Sequence, residues 1–217
     1  MGWGVKILIA CEYSGRVRDA FVALGHDAMS CDLLPTEAPG NHYQGDVRDV
    51  LGEQWDLLIA HPECTYLTNA GVCHLHTDPK RWPKLFDAAE FFKLFLNAEH
   101  IPMRAIENPI MHGYAKTLIG GVKQSQVIQP WMFGHMEQKA TCLWLKGLEP
   151  LKPTNIVKEE MMLLPKNQRE RLHYLSPGPD RWKERSRTYQ GIADAMAMQW
   201  GGDVRQGEQE DLFGGAA

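Results

Sequence analysis

Several absences narrow the field before any motif is read. No apolar run approaches the ~20 residues that a membrane-crossing helix needs, so no spanning segment is expected. The 5 cysteines are an odd number without framework spacing, which argues for reduced thiols in a cytoplasm and against a disulfide scaffold. There is no excess of positive charge. With 23 Lys and Arg against 27 Asp and Glu the formal net charge is −4, so the molecule as a whole is not a basic nucleic-acid clamp, and any such contact must come from a local patch. The start, MGWGVKILIA, carries one lysine and a short β-like run, which reads as a first strand and not as a signal peptide. The dinucleotide fingerprint GxGxxG is missing from the first strand-to-helix turn. Cys64, Cys73, His74 and His76 lie close together, but their spacing is not that of a zinc site and no paired CxxC supports it, so no metal is expected. Internal repeats are absent as well.

What is present is an ordinary globular composition, 44% hydrophobic and 23% charged over 217 residues, enough for one domain with a full core. Residues 5–11 form an apolar strand, the turn Cys11 to Gly15 follows, and Val17, Ala20, Phe21 and Leu24 recur at helical spacing before Gly25. A second strand runs from His26 to Cys31 and closes at Asp32; a loop rich in Pro and Gly leads to Gly45-Asp46-Val47; the third strand is 57–60. This alternation predicts a doubly wound, mostly parallel α/β sheet. A helix is predicted over Pro83 to His100, then a strand, MRAIENP (103–109), ending in a polar triplet. Pro130 makes 127–133 an edge strand or loop. TCLWL (141–145) reads as a strand with Trp144 in the core, and 189–200 as a closing helix or turn-helix. Residues 1–200 are expected to form a single catalytic domain, with 146–187 a small basic insertion and 201–217 a disordered tail.

The chemistry concentrates in WDLLIAHPECTYLTNAG (55–71). A short apolar strand ends abruptly at His61-Pro62-Glu63-Cys64, which puts a thiol just beyond a strand's carboxyl end, where open α/β folds place their ligands. Glu107 and Asn108 follow another strand and converge on the same crevice. A thiolate and a buried glutamate of raised pKa suit addition to an electron-poor pyrimidine: sulfur attacks carbon 6, the carboxyl protonates ring nitrogen 3, and carbon 5 becomes able to take an alkyl group from a sulfonium. Asp32, at the end of the second strand, is placed to hydrogen-bond a ribose, and Asp46 to hold an adenine amino group. Between Lys166 and Arg187 there are seven Lys and Arg against three Asp and Glu; there Arg181, Trp182, Lys183, Arg185 and Arg187 form the candidate nucleic-acid contact, with Trp182 able to stack on a base.

The order of these motifs resembles the cytosine-5 DNA methyltransferases, and more closely the short, phage-type cytosine methyltransferase-like proteins, at HPECTYLTNAG, IENP, QPWMFG, TCLWLKGL and RTYQGIADAMAMQW, over roughly residues 5–200. The resemblance implies the class I S-adenosylmethionine-dependent fold and methyl transfer to cytosine carbon 5 in DNA. By position, Cys64 matches the nucleophile, Glu107 the base-protonating carboxylate, Asn108 its loop partner, and Glu12, Tyr13, Ser14, Gly15, Asp32, Asp46 and Pro62 the cofactor pocket. The implied cofactor is S-adenosylmethionine or a modified, for example carboxylated, derivative, toward which Arg16 is one cation available. The departures are specific. Glu63 separates Pro62 from Cys64 and Thr65 stands where Gln is usual; the family's Gln-x-Arg-x-Arg strand appears as Gln138-Lys139-Ala140-Thr141, with Lys139 in place of an arginine; Gly191-Ile192-Ala193 matches the late Gly-Asn-Ala motif only loosely. So little chain remains between 146 and 187 that the target-recognition region is reduced, which implies a short sequence preference or action on single strands. A free pyrimidine nucleotide as acceptor, or an idle methyltransferase-like binding module, are the competing readings. Oligomeric state is not legible.

Overall fold

The computed structural model describes residues 4–202. Its centre is two strands with hardly a polar side chain between them, β1 (Lys6–Ala10) and β4 (Leu57–Ala60), buried on both faces as the middle of a parallel sheet requires. Around them lie β2 (Asp27–Asp32), β3 (His42–Gln44), β5 (Met103–Pro109), β6 (Gln126–Ile128) and β7 (Thr141–Lys146), in the order β3-β2-β1-β4-β5-β7-β6. The first five are parallel, while β7 runs antiparallel to both β5 and β6. This mostly parallel, doubly wound sheet, with one reversed strand inserted before the last edge, is the class I methyltransferase fold expected above.

Helices cover both faces. On one, α1 (Arg16–Ala23) and α10 (Gln190–Met196), continued by a π-helical turn at Ala197–Gly201, bury Phe21, Ile192, Met196 and Trp200 against Ile7, Ile9 and Ile59. The other face carries α2 (Arg48–Leu51), α3 (Asn69–Val72), α4 (Arg81–Leu96) and α5 (Gly113–Leu118). There Leu85, Ala89, Phe92 and Phe95 recur on one stripe of α4, and Phe92 meets the edge of Trp144, the core tryptophan of β7, at 5.0 Å. Between β7 and α10 the chain forms four short helices, α6 (Lys158–Leu163), α7 (Lys166–Arg169), α8 (Arg171–Tyr174) and α9 (Arg181–Ser186), and no strand.

Three boundaries differ from expectation. The strand at 57–60 is fourth, because His42–Gln44 adds a three-residue edge strand whose polar sequence gives no apolar signal. α4 starts at Arg81, ahead of Pro83, since proline is tolerated in a first turn, and it stops at Leu96. β5 has the bounds predicted for it, so Glu107, Asn108 and Pro109 belong to the strand. The parallel pairing with β4 ends at Ile106, whereas the antiparallel pairing with β7 carries on through Glu107, Asn108 and Pro109. Residues 138–140 precede β7 as irregular chain and are not part of a strand. Of the expected tail, Gly201 closes the π-turn, and the chain from 203 onward lies outside the described residues.

Arg18 ties the first crossover down. Its side chain is fully buried and donates to Ser30 Oγ (3.1 Å) and to the carbonyls of Ala38 (3.0 Å) and Pro39 (3.2 Å), pinning the 33–41 loop to α1. Gly15, at φ 75° before α1, is needed because a Cβ there would lie 2.6 Å from an Arg18 guanidinium nitrogen. Arg18→Met is therefore expected to lower unfolding free energy by about 3 kcal/mol, since buried carbonyls lose their donors. Chemical denaturation followed by circular dichroism checks this, and a loss under about 0.5 kcal/mol, the level of an ordinary surface change, would refute the role.

Candidate active site

The site lies at the switch point of the sheet, where the chain leaves β1 for one side and β4 stands on the other. Parallel register brings the strand ends level: Ala10 pairs with both Cys31 and Ala60, His61 N–H continues the ladder to the Ala10 carbonyl (2.9 Å), and Glu12 N–H to that of Cys31 (3.1 Å). The loops after β1, β2, β4 and β5 thus open into one crevice.

Its first half is built from the turn after β1. Cys11 has φ 59°, the one non-glycine residue in the left-handed region among the described residues, a conformation that costs on the order of 1 kcal/mol and that the adjoining ladder bonds enforce. The Glu12 carboxylate is buried; Oε1 accepts from Ser14 Oγ (2.8 Å) and from Val17 N–H (3.0 Å), while Oε2 is buried with no partner among the described residues. Asp32 accepts Leu34 N–H on Oδ1 (2.9 Å), and burial raises its carboxyl above the usual range. Asp46 is more committed than expected for an adenine contact: its two oxygens accept from Arg48 N–H (2.9 Å) and Arg48 Nη1 (2.7 Å), and the backbone bond above all holds its carboxyl low. This half can hold a cationic and hydroxylated ligand through Glu12 and Asp32. Arg16 donates to the Thr188 carbonyl (2.9 Å).

The second half holds the reactive groups. Glu107 stands beside the end of β4, and its Oε2 accepts from His61 Nδ1 at 3.1 Å, with His61 6% and Glu107 17% exposed. Two expectations fail here. Burial does raise the Glu107 carboxyl, but the His61 hydrogen bond and the positive charge of Lys139 outweigh it, and the net shift is downward: Glu107 rests as a carboxylate. Cys64 in turn is no resting thiolate. Burial first, and then the Glu107 charge, push its thiol up, against opposing fields from Lys139 and Arg185. Even so, Cys64 is distinguished among the cysteines. Burial and the charges of Asp32 and Asp46 push Cys31 up to about 12 and raise Cys11 as well. Cys142 is buried in β7 and Cys73 is exposed in the turn after α3. Cys64 alone combines partial access with two facing cations. Asn108 is buried, donates Nδ2–H to the Pro109 carbonyl (2.8 Å), and keeps an unpartnered buried Oδ1. Pro62 is buried between Ala60 and Cys64, and Lys139 Nζ donates to the Arg185 carbonyl (2.9 Å).

The basic segment lies across this crevice. Tyr13 Oη donates to the Lys183 carbonyl (3.0 Å) and packs its ring 5.9 Å from Trp182, which is 49% exposed. Arg187 is not free for a nucleic acid as expected: it donates two bonds to Glu37, at 2.6 and 2.9 Å, and pairs with Glu184. Lys183 faces Asp180 at 3.2 Å, and Arg181 donates to the His173 carbonyl (3.3 Å).

Two features were missed from sequence. His61 had its signal in plain view, a histidine at a strand's carboxyl end three residues before the thiol. The other is a ring cluster around and beyond Tyr66, two residues after Cys64: Trp82 packs against Tyr114 (5.5 Å) and His76 (5.9 Å), with Arg81 and Lys84 over the Tyr66 ring at 5.1 and 5.5 Å. It is assembled from three separate segments, so no local pattern announces it.

No family model and no curated protein matches the chain. Similar solved structures include a protein described as a DNA modification methyltransferase encoded within a prophage (E. coli), at 15% identity and a TM-score of 0.44 over 75% of this chain and 56% of that one. The Dnmt2 methyltransferase of S. pombe is similar at 13% identity and TM-score 0.40, over 83% and 62%. The methyltransferase EhMeth of Entamoeba histolytica is similar at 10% identity and TM-score 0.40, over 70% and 55%. The chain spans little more than half the length of these structures.

The opposed charges of the site make a direct prediction. The Glu107 carboxylate raises the Cys64 thiol, so Glu107→Gln lowers it, and at a pH below the wild-type thiol pKa the thiolate fraction rises. Alkylation of Cys64 by iodoacetamide, followed by peptide mass mapping at pH 7–8, is expected to be about tenfold faster in the variant, the equivalent of one pKa unit. An unchanged rate would mean that the two groups do not share a site.

Proposed function

We propose that this chain transfers a methyl or related alkyl group from an S-adenosylmethionine-type cofactor to carbon 5 of cytosine in DNA through a transient Cys64 adduct. The observation that carries the reading is the placement of one partly accessible thiol within the field of one carboxylate, beyond neighbouring strands of a class I crevice. The turn after β1 fits the cofactor: the unpartnered Glu12 Oε2 takes an ammonium, Asp32 takes ribose hydroxyls, and Tyr13, Ser14 and Gly15 bound the pocket. Asp46 contributes at the adenine end, where Arg48 orients it, and Pro62 shapes the wall. When bound, the sulfonium supplies an electrophilic alkyl group.

The protein's own groups do the rest. Cys64 Sγ forms a bond to carbon 6 of the base, and once carbon 5 is alkylated its proton leaves to solvent as the Sγ–carbon 6 bond breaks and the ring double bond is restored. Glu107 places a proton on ring nitrogen 3, which draws the displaced electron pair away and leaves carbon 5 nucleophilic. Asn108 Oδ1, buried and without a partner, accepts from the base's exocyclic amine, and Lys139 balances the carboxylate. DNA lies between two lips, one with Trp182, Lys183, Arg185 and Arg181, the other with Tyr66, Trp82 and Tyr114. A base flipped from a duplex costs a few kcal/mol to extract and a single-stranded one less, which favours single strands or a short target for so small an enzyme.

Cys64→Ala is expected to abolish transfer while leaving cofactor affinity within about threefold, the size of a surface change. The check is mass analysis of nucleosides from DNA incubated with the protein and S-adenosylmethionine. Methylated deoxycytidine formed equally by wild type and variant would remove Cys64 from the mechanism, and product only from free nucleotides would move the substrate. DNA affinity should fall with salt along a linear logarithmic slope, as phosphate contacts require; a flat response would refute a polymer substrate.

A further inference from the structure

Building on that reading, we propose that His61 is the positioning residue for Glu107, its Nδ1–H holding one carboxylate oxygen so that the other receives the Cys64 thiol proton and passes it to ring nitrogen 3 of the base. Three observations support this. His61 is the first residue after β4 and lies level with Glu107, since Ala60 pairs with Ile106. Its ring is buried at 6% exposure and has a single polar tie, the 3.1 Å bond to Glu107 Oε2, while Nε2 is buried with no partner among the described residues. A histidine that braced a loop would spend both nitrogens on fixed structural partners, as His42 does with Ser30 Oγ and the Leu34 carbonyl. His61 spends its one bond on the carboxylate.

The arrangement also resolves a conflict of protonation states. The addition needs a thiolate and an acid, yet the resting pair is a thiol and a carboxylate. Moving one proton within the pair exchanges the roles. The Sγ–H bond breaks as an O–H bond forms on the free oxygen of Glu107. Sulfur then bonds carbon 6, the carbon 5–carbon 6 π pair shifts to carbon 4–carbon 5, and the carbon 4–nitrogen 3 pair takes the proton from Glu107. The carboxylate is restored, and no proton from outside is required. The groups facing this exchange are Cys64 on its loop, Lys139 ahead of β7, Cys142 in β7 and His61, with Arg185 of the α9 segment acting on Cys64.

The test compares His61→Leu, which removes the donor, with His61→Asn, whose amide places an N–H where Nδ1 stands. In wild type kcat/KM falls on the acid side as Glu107 is protonated and can no longer accept the thiol proton. The hydrogen bond holds Glu107 low, so in His61→Leu that limb should move up by about one to two pH units, the worth of a bond to an ionised group. At pH 8 kcat should fall about 100-fold with KM for DNA unchanged, as expected for a misplaced catalytic group. His61→Asn should recover most of both. An acid limb that stays put or moves down, or an Asn variant no better than Leu, would overturn the proposal. Titration of the Glu107 carboxyl by carbon-13 NMR reads the same shift without turnover. If it moves up in His61→Leu while wild type methylates nothing, the positioning role stands and the proposed reaction falls; if it does not move, the positioning role falls whatever the reaction.

Discussion

The level endings of β1, β2 and β4 are the constraint on which the rest of the molecule depends. Parallel strands that share a register deliver their next residues to one plane, so Glu12, Asp32 and His61 start their loops side by side although they are far apart in sequence. The crevice opens there because the chain turns to one side after β1 and to the other at β4. Everything that holds those three strands in register, from the apolar filling of both faces to the Arg18 anchor on the first crossover, also holds the site.

Reversal of β7 does a second job. A parallel partner would have ended with β4, at Ile106; the antiparallel one pairs onward to Pro109 and makes Glu107 and Asn108 part of a strand. A carboxylate on a strand moves far less than one on a loop, which suits any role that needs placement within about half an ångström. The same pairing brings Lys139, two residues before β7, near enough for its charge to act on both Glu107 and Cys64. One topological feature thus sets the acid's rigidity and its charge.

Much of this was legible in sequence. β1 and β4 announced themselves as short apolar runs with Lys6 their one polar residue, and the acids at strand ends and the thiol after 57–60 followed from the alternation. What was not legible has particular causes. β3 is a three-residue edge strand of His, Tyr and Gln, held by Ser30, Cys31 and Asp32 across the ladder and by nothing periodic of its own. The protonation states were misjudged because burial was visible in the residue types, whereas a histidine 46 residues away, and a lysine in the irregular chain ahead of β7, were not. Summed charge misled for the same reason. Seven cations over 166–187 suggested an open basic face, but Arg187 is taken by Glu37 and Glu184, and Lys183 by Asp180.

Those internal pairs change what the segment is for. A cation already bonded to a carboxylate offers little to a phosphate, but it does fix the backbone that carries it. Through Arg187 and Glu37, Tyr13 and the Lys183 carbonyl, and Lys139 and the Arg185 carbonyl, α9 and its flank are tied at once to the first crossover, the turn after β1 and the chain ahead of β7. Those ties leave Trp182 exposed above Tyr13 and the Arg185 charge directed at Cys64. The segment therefore acts first as a roof over the crevice, and whatever it contributes to holding a strand comes from the one ring and the few cations that the roof does not itself consume.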